Sequence, residues 1–488
     1  GFLDIYFENL EIKEILLKVS EDWFEEELRK NIDEIVEILE YERKKYYEIK
    51  KKAKGIIEKI KTFDAKTLFD LYTSHGISPE IVKEYVDIVI PKEFYNYLEE
   101  HRKKSKAKKV KVEEKIDVSK YPETIRDFYK GWKVYYNIGR IIGREGNYLI
   151  FDRTIFFPEK GGQRSDEGWI FFIDRIKDFS VEILNKLSFP DYVKDVLGDY
   201  MKGNNKDLND FERTYARVKR CFEVGKVILH EVDRDIDYSG EVLQIINRDI
   251  RYRASRHHTA VHILTGVLRK RYGNHVWQAG AEKDENEGRL DVTHYEIPSK
   301  EEIEEIEREI NRIVLEGKEI KKYYLRRDEA ERKFGFSIYQ GGFIPEVNLR
   351  IVEIEGLDAE ACSGTHLDNT LELGIVKIVG VEKIADGLIR FRVVAGDRVV
   401  EEYNKLLDKA REIKDKYGMD LNDIDKYIEK LDRERNQYNK LYYDLLEEVI
   451  IGMVKDKKLV GKINVPSSDV LRILYKIKDL EEVELETK

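Results

Sequence analysis

What this chain can fold into is constrained most by where its hydrophobic period changes. From residue 9 to about 100, apolar side chains recur at helical spacing. Leu28, Ile32, Ile35 and Leu39 fall at i, i+4, i+7 and i+11, the pattern of one buried helix face. From about Gly131 the period drops to two. The stretch KVYYNIGRIIGREGNYLIFDRTIFFPEKGGQRSDEGWIFF alternates β-branched and aromatic residues with polar ones, punctuated by glycine. Short strands at this spacing predict a small barrel. Residues 174–215 break the rhythm with a polar, helix-like insertion, and VGKVILHEVD and GEVLQIINRD resume it. Beyond residue 250 both periods occur: helices over 254–272 and 300–316, then strands in NLRIVEIEG, LGIVKIVGVEKI and LIRFRVVAG. After Val400 the chain is helical to about Met453, and the last 35 residues predict a small α/β unit.

No single core serves all these periods, and 488 residues is too long for one. The expectation is a multidomain α+β protein. Residues 1–122 form a helical domain ending in a basic linker, and 123–250 a small β-barrel with the insertion at about 174–215. Residues 251–400 form an α/β domain, and 401–488 a helical, coiled-coil-like segment with a small terminal unit.

Local signals refine this. YERKKYYEIKKKAKGIIEKIK predicts a second, strongly basic helix. Its Lys and Arg residues, interleaved with Tyr46 and Tyr47, suit either a phosphate backbone or a solvated surface. RKKSKAKKVKVEEK (102–115) has charge without an apolar period and reads as a linker or basic arm. Ser299 and Glu302 form a capping box ahead of the row Ile303, Ile306, Ile310, Ile313. Leu431, Tyr438, Leu441 and Leu445 give a weak coiled-coil seam broken by Glu434. Net charge is −10, so any nucleic-acid binding rests on local basic surface. Two cysteines exclude a disulfide framework and point to a reducing, cytoplasmic setting, and no apolar run is long enough for a membrane. With 38% charged residues the composition resembles that of heat-adapted proteins. The opening GFLDIYFENLEIKEILLKV lacks an initiator Met and reads as a helix already under way, which suggests a piece of a longer or processed chain.

Two short clusters carry chemistry. HHTAVH places three of the nine histidines in six residues, and CSGTH holds one of the two cysteines. On a helix His258 and His262 stand one turn apart on one face, able to present two imidazoles to one metal. His257 shares the apolar stripe of Val261, Leu264 and Leu268 and reads as a packed residue. Thr265 and Gly266 continue the row above His262 and leave room for something to approach. Cys362 and His366 lie between strand patterns with Gly364 between them, so a turn is expected to aim both at one point. The union of His258, His262, Cys362 and His366 is a nitrogen-and-sulfur donor set that suits one Zn2+. A closed structural site and a working site both remain open. In NHVWQAGAEK, Gln278 offers a donor and an acceptor. In RTIFFPEKGGQRSDEG, Thr154 and the Gly161-Gly162-Gln163 turn offer a hydroxyl, an amide and backbone N–H groups. Such groups suit a small polar side chain, although a Gly-Gly turn alone is an ordinary hairpin device.

Taken together, HHTAVH, HVWQAGAEK, DVTHY, ACSGTH and LELGIVKIV resemble the editing domain of alanyl-tRNA synthetases and their free-standing relatives. FDRTIFFPEKGGQRSDEG is similar to the small barrel preceding that domain, and LYTSHGISPEIV with PKEFYNYLEEH to the helical tRNA-recognition region of the archaeal enzymes. The resemblance runs in order from roughly residue 30 to 400. It implies hydrolysis of tRNA(Ala) mischarged with serine or glycine, since a charging site excludes a smaller residue or an added hydroxyl poorly. It implies zinc on His258, His262, Cys362 and His366, bound to water near the ester carbonyl or anchoring the amino group. Thr154 would recognise the serine hydroxyl, Gln278 would shape the pocket, and His275 and Asp291 stand close to that wall. ATP-binding motifs are not found, so the aminoacylation domain is expected to be absent and ATP to belong to a separate domain or chain. The large Gly-rich C-terminal domain of the family is expected to be reduced to a stub. The alternative is a non-catalytic tRNA-docking subunit with a structural zinc, and a third reading is a metal-dependent hydrolase of an unrelated small molecule.

Overall fold

A computed structural model describes residues 11–22, 25–106, 116–340, 342, 344, 346–418, 421–455, 458–474 and 482–487. The fold mixes helix and sheet, and the chain divides into two compact units, Gly1–Val399 and Val400–Lys488. The helical region, the barrel and the α/β region all lie in the first.

The helical region comprises α1 (Ile12–Asp22), α2 (Glu25–Ile57), α3 (Ala65–His75), α4 (Pro79–Lys83) and α5 (Lys92–Lys106). The expected second basic helix is not separate. Leu39 to Tyr47 contains neither Gly nor Pro, and its Glu, Arg and Lys residues are good helix formers, so α2 runs through as one helix. The charge run at 102–115 differs too. Its first five residues extend α5, and the rest lies outside the described residues. Ala53, Ile57, Leu68, Leu71, Ile81, Val82 and Phe94 form the core here. Ile32 is buried while Ile35 and Leu39 are half-buried, and the side chain of Leu28 lies outside the described residues.

Six strands close the barrel: β1 (Tyr136–Glu145), β2 (Tyr148–Phe151), β3 (Gly168–Phe172), β4 (Tyr215–Val224), β5 (Val227–Val232) and β6 (Glu241–Ile246). Their order is β1-β2-β5-β4-β3-β6, every neighbour antiparallel. The insertion between β3 and β4 is less polar than its sequence suggests. Its Ile176, Phe179, Val193, Leu197 and Phe211 pack on Phe171, Leu243 and Ile245, covering one outer face of the barrel.

The helix α6 (Arg248–Tyr272) starts six residues ahead of the expected position, because Asn247 caps it by accepting from Asp249 N and Ile250 N. Arg251, fully buried, fixes α6 to the barrel. Its Nε donates to both oxygens of Asp166 at 2.9 and 3.0 Å, and its Nη2 to Ile155 O at 2.8 Å. One face of α6 packs on a four-stranded antiparallel sheet, ordered β11 (Val376–Ala385), β12 (Leu388–Ala395), β8 (Gly288–Thr293), β7 (Gln278–Lys283). It also meets the three-stranded sheet of Ile320–Arg326, β9 (Asn348–Ile354) and β10 (Asp358–Ala361). The helix α7 (Lys300–Glu316) carries the predicted capping box and buries Ile306, Ile310 and Ile313 in the shared core.

In the second unit, Leu446 and Ile450 of the helix Ile424–Met453 pack with Leu459, Val470 and Ile473 of a small mixed unit, as expected for the last residues. The seam of Leu431, Tyr438, Leu441 and Leu445 is exposed along that helix.

Candidate metal centre

The two clusters meet. One nitrogen each of His258, His262 and His366 and the Sγ of Cys362 lie within 4.8 Å of one another, all four residues buried. Helix α6 supplies the first two side chains. The irregular segment after β10 supplies the others, without helical structure, as the Gly364 spacing implied. Cys362 Sγ is 3.3 Å from the Nε2 of both His258 and His366.

Outer contacts set the direction of each ring. His258 Nδ1 lies 2.8 Å from Gln163 Oε1, a carbonyl that only accepts, so Nδ1 carries the proton and Nε2 a lone pair. His366 Nδ1 lies 3.2 Å from Thr259 Oγ1, whose hydrogen is given to Ser255 O at 2.8 Å, so the hydroxyl oxygen accepts here as well. His262 Nδ1 faces Glu360 Oε2 at 3.2 Å, short of hydrogen-bond alignment. The Nε2 atoms of His258 and His366 thus face the sulfur, and a ring nitrogen of His262, whose Nε2 lies 3.4 Å from Gln340 Nε2, completes the group. Burial holds the three imidazoles well below their ordinary pKa, hence neutral and ready to ligate. Burial pushes the Cys362 thiol up, opposed by the charges of Lys283 and Arg350 and by the Gly364 N–H, which donates to Sγ at 3.4 Å. A buried, outward-braced set of three imidazole nitrogens and one thiol sulfur fits zinc.

The loop approaches very closely. A Cβ on Gly364 would stand 2.0 Å from His258 Cε1 and 2.8 Å from Gln163 Oε1, so only glycine lets CSGTH close over the helix. Gly162 is no ordinary hairpin residue either. With φ at +73°, its Cβ would meet Ala281 O at 2.0 Å, and this contact seats the barrel turn against β7. The room expected above His262 is filled at Gly266 by Leu357, whose Cγ stands 2.7 Å from where a Cβ would be.

Beside the cluster lies a cavity of about 660 Å³, lined by residues including Cys362, Ser363, Gln278, Gln340, Tyr324 and Arg350. Arg350 braces the ligand loop, donating to Cys362 O at 2.7 Å and Gly364 O at 2.9 Å over the Tyr129 ring.

The other expected pocket residues divide. Gln278 is on the cavity wall and donates to Gln340 at 3.2 Å. Thr154 is not among the lining residues; it is fully buried in the barrel, bonded to His230 Nε2 at 2.8 Å and accepting from Phe156 N at 3.0 Å, so its hydroxyl is already engaged. His275 instead joins the helical region: its backbone N–H donates to Glu34 at 3.1 Å and its Nε2 lies 2.9 Å from His294. Asp291 pairs with Arg390 at 2.7 and 3.0 Å. His257 is the packed residue expected, its Nδ1 2.7 Å from Asp284 O. Thr259, Glu360, Gln340 and Arg350 escaped the sequence reading. Thr259 and Glu360 had a usable signal, lying within three residues of a ligand.

Comparison with known proteins decides the family. A model described as tRNA synthetases class II (A) matches residues 6–193, and one described as threonyl and alanyl tRNA synthetase second additional domain matches residues 349–392, the Cys362/His366 segment. The alanine–tRNA ligase of Ignicoccus hospitalis is 36% identical over 458 residues, 90% of this chain and 46% of that protein. Those of Staphylothermus marinus (34%, 86% and 45%) and Archaeoglobus fulgidus (38%, 78% and 39%) are similar over comparable spans.

The chain belongs to the alanyl-tRNA synthetase family.

It spans a little under half the length of these relatives. One expectation is corrected. Class II synthetase sequence is present here, since that match covers the helical region, the barrel through β3 and the start of the insertion. Among the described residues no helix is long and apolar enough to cross a membrane.

Proposed function

We propose that this site hydrolyses the ester of tRNA(Ala) carrying serine or glycine, as the editing centre of a cytoplasmic alanyl-tRNA synthetase. One observation carries the reading: Cys362 belongs to the ligand cluster and also lines the cavity, so the centre opens onto space that can hold a ligand. The wall there is polar and fixed. Gln278 and Gln340 offer amide groups to a hydroxyl or an amino group, and Arg350 holds the loop carbonyls so that the floor does not shift. His258, His262, Cys362 and His366 would hold zinc, which supplies a Lewis acid for an ester carbonyl or water, or an anchor for the amino group. On α2, Arg43, Lys44, Tyr47 and Lys51 share one surface with Glu40 and Glu48, and its three cations support contact with the tRNA backbone.

A second reading has its own support. Four protein ligands complete a tetrahedral set, which is the habit of structural zinc. Replacing Cys362 with Ala separates the two. On the editing reading, cleavage of Ser-tRNA(Ala) collapses while tRNA binding persists. Undiminished cleavage refutes it, and a wild-type chain that binds tRNA(Ala) without cleaving the seryl ester favours the docking reading.

A further inference from the structure

Behind the ligands lies a buried polar layer that ester hydrolysis does not call upon. Glu360, on β10 two residues before Cys362, is fully buried, with Oε2 3.2 Å from His262 Nδ1. The same carboxylate accepts from Gln340 Nε2, and Gln340 accepts from Gln278 at 3.2 Å. Four buried atoms here lack a hydrogen-bond partner: His262 Nδ1, Glu360 Oε1, Asp358 Oδ2 and Arg269 Nη2. A second cation among His262, Asp358 and Glu360 is disfavoured by Arg269, whose Nη1 stands 3.0 Å from Asp358 and 3.8 Å from Glu360. The simpler resolution is a small rotation that places the His262 Nδ1–H on Glu360. His258 and His366 already show the pattern, each giving Nδ1–H to an outer acceptor, Gln163 and Thr259. For His262 that acceptor is a carboxylate, and the carboxylate is in turn held from the cavity side.

We propose that Glu360 is the positioning residue of the metal centre. It accepts from His262 Nδ1, keeps Nε2 turned toward the other three ligand atoms, and through Gln340 ties this ligand to the cavity wall. Such outer partners change metal affinity by roughly 10–100-fold when removed. The inference rests on the four residues binding a metal and is independent of which ester, if any, is cleaved.

The test is zinc affinity of the whole chain, by competition with a chromophoric chelator. Glu360→Met keeps the volume and removes the acceptor; the expected loss is about 10–100-fold. Glu360→Gln keeps a neutral acceptor and loses less. Asp358→Asn alters the same buried layer beside Glu360 but leaves the Glu360 acceptor in place, and stays within about threefold of wild type. Should Glu360→Met fail to fold, nitrogen NMR of histidine in the zinc-loaded wild-type chain decides: a His262 protonated at Nδ1 supports the proposal, and one protonated at Nε2 overturns it. Equal losses in Asp358→Asn and the Glu360 variants overturn it as well. A wild-type chain that takes up no zinc fails the metal reading and this proposal together. Tight wild-type binding that Glu360→Met leaves intact fails this proposal alone.

Discussion

Replacing Gly364 with Ala tests how closely the ligand loop must approach the helix. The added methyl would sit 2.0 Å from His258 Cε1, 2.3 Å from its Nδ1 and 2.8 Å from Gln163 Oε1. Neither neighbour has free travel: His258 is fully buried, and Gln163 also accepts from Thr365 N at 2.9 Å and donates to Thr365 Oγ1 at 2.7 Å. Relief requires the loop to lift or His258 to leave Gln163. Overpacking of this kind costs about 1–3 kcal/mol, and a lost buried hydrogen bond about 0.5–1.5 kcal/mol. Together these come to about 1.5–4.5 kcal/mol, a factor of roughly ten to two thousand in a binding constant. Chelator competition should show zinc binding weakened by that factor, with melting temperature lowered in the metal-free protein. Gly342, on the cavity wall with nothing within 4 Å of a built Cβ, provides the control, and its Ala variant should match wild type. A Gly364→Ala protein that binds zinc within about threefold of wild type would refute the close approach.

Three further outcomes follow from the same geometry. Cys362→Ser should weaken zinc by about a hundredfold or more, since one ligand of four carries about 3 kcal/mol of the roughly 10–16 kcal/mol typical of such sites; calorimetric titration measures it. Burial depresses the pKa of His230 to about 3 and of His294 to about 4, below the ordinary value of 6.5. Below pH 6.5 the unfolded chain takes up protons that the folded one refuses, so this stability is complete above about 6.5 and is lost as pH falls toward 3. Melting temperature should drop over that window, and His230→Gln should flatten the drop. Finally, Gln278→Ala should raise KM for a seryl ester several-fold while leaving zinc affinity within about threefold, because Gln278 reaches the ligands only through Gln340; steady-state kinetics beside chelator competition separates the two.

Much of the fold was legible because period and punctuation are local. The barrel strands, the α6 and α7 helices and the Ser299–Glu302 cap needed no knowledge of distant residues. The pairing of His258 with His262 and of Cys362 with His366 was legible for the same reason, since each pair is four residues apart. Orientation was harder. Gln163 looked like a group facing substrate, yet it reaches 95 residues onward to hold His258. Thr154 matched a family position, but its hydroxyl points to His230, 76 residues away and without a motif of its own. The stripe Glu34, Glu37, Tyr41, Lys45 of α2 is polar and carries no sign in sequence of a contact partner. Its partners His275, Tyr295 and Asp386 lie more than 200 residues on, and only the folded chain brings them together.

The most direct test of the account is deacylation by the purified chain. Ser-tRNA(Ala), Gly-tRNA(Ala) and Ala-tRNA(Ala) are followed for ester loss with and without a zinc chelator. The account predicts rapid loss of the seryl and glycyl esters, abolished by the chelator and restored by zinc, with the alanyl ester preserved. Cleavage of all three esters alike, or cleavage indifferent to the chelator, would contradict it.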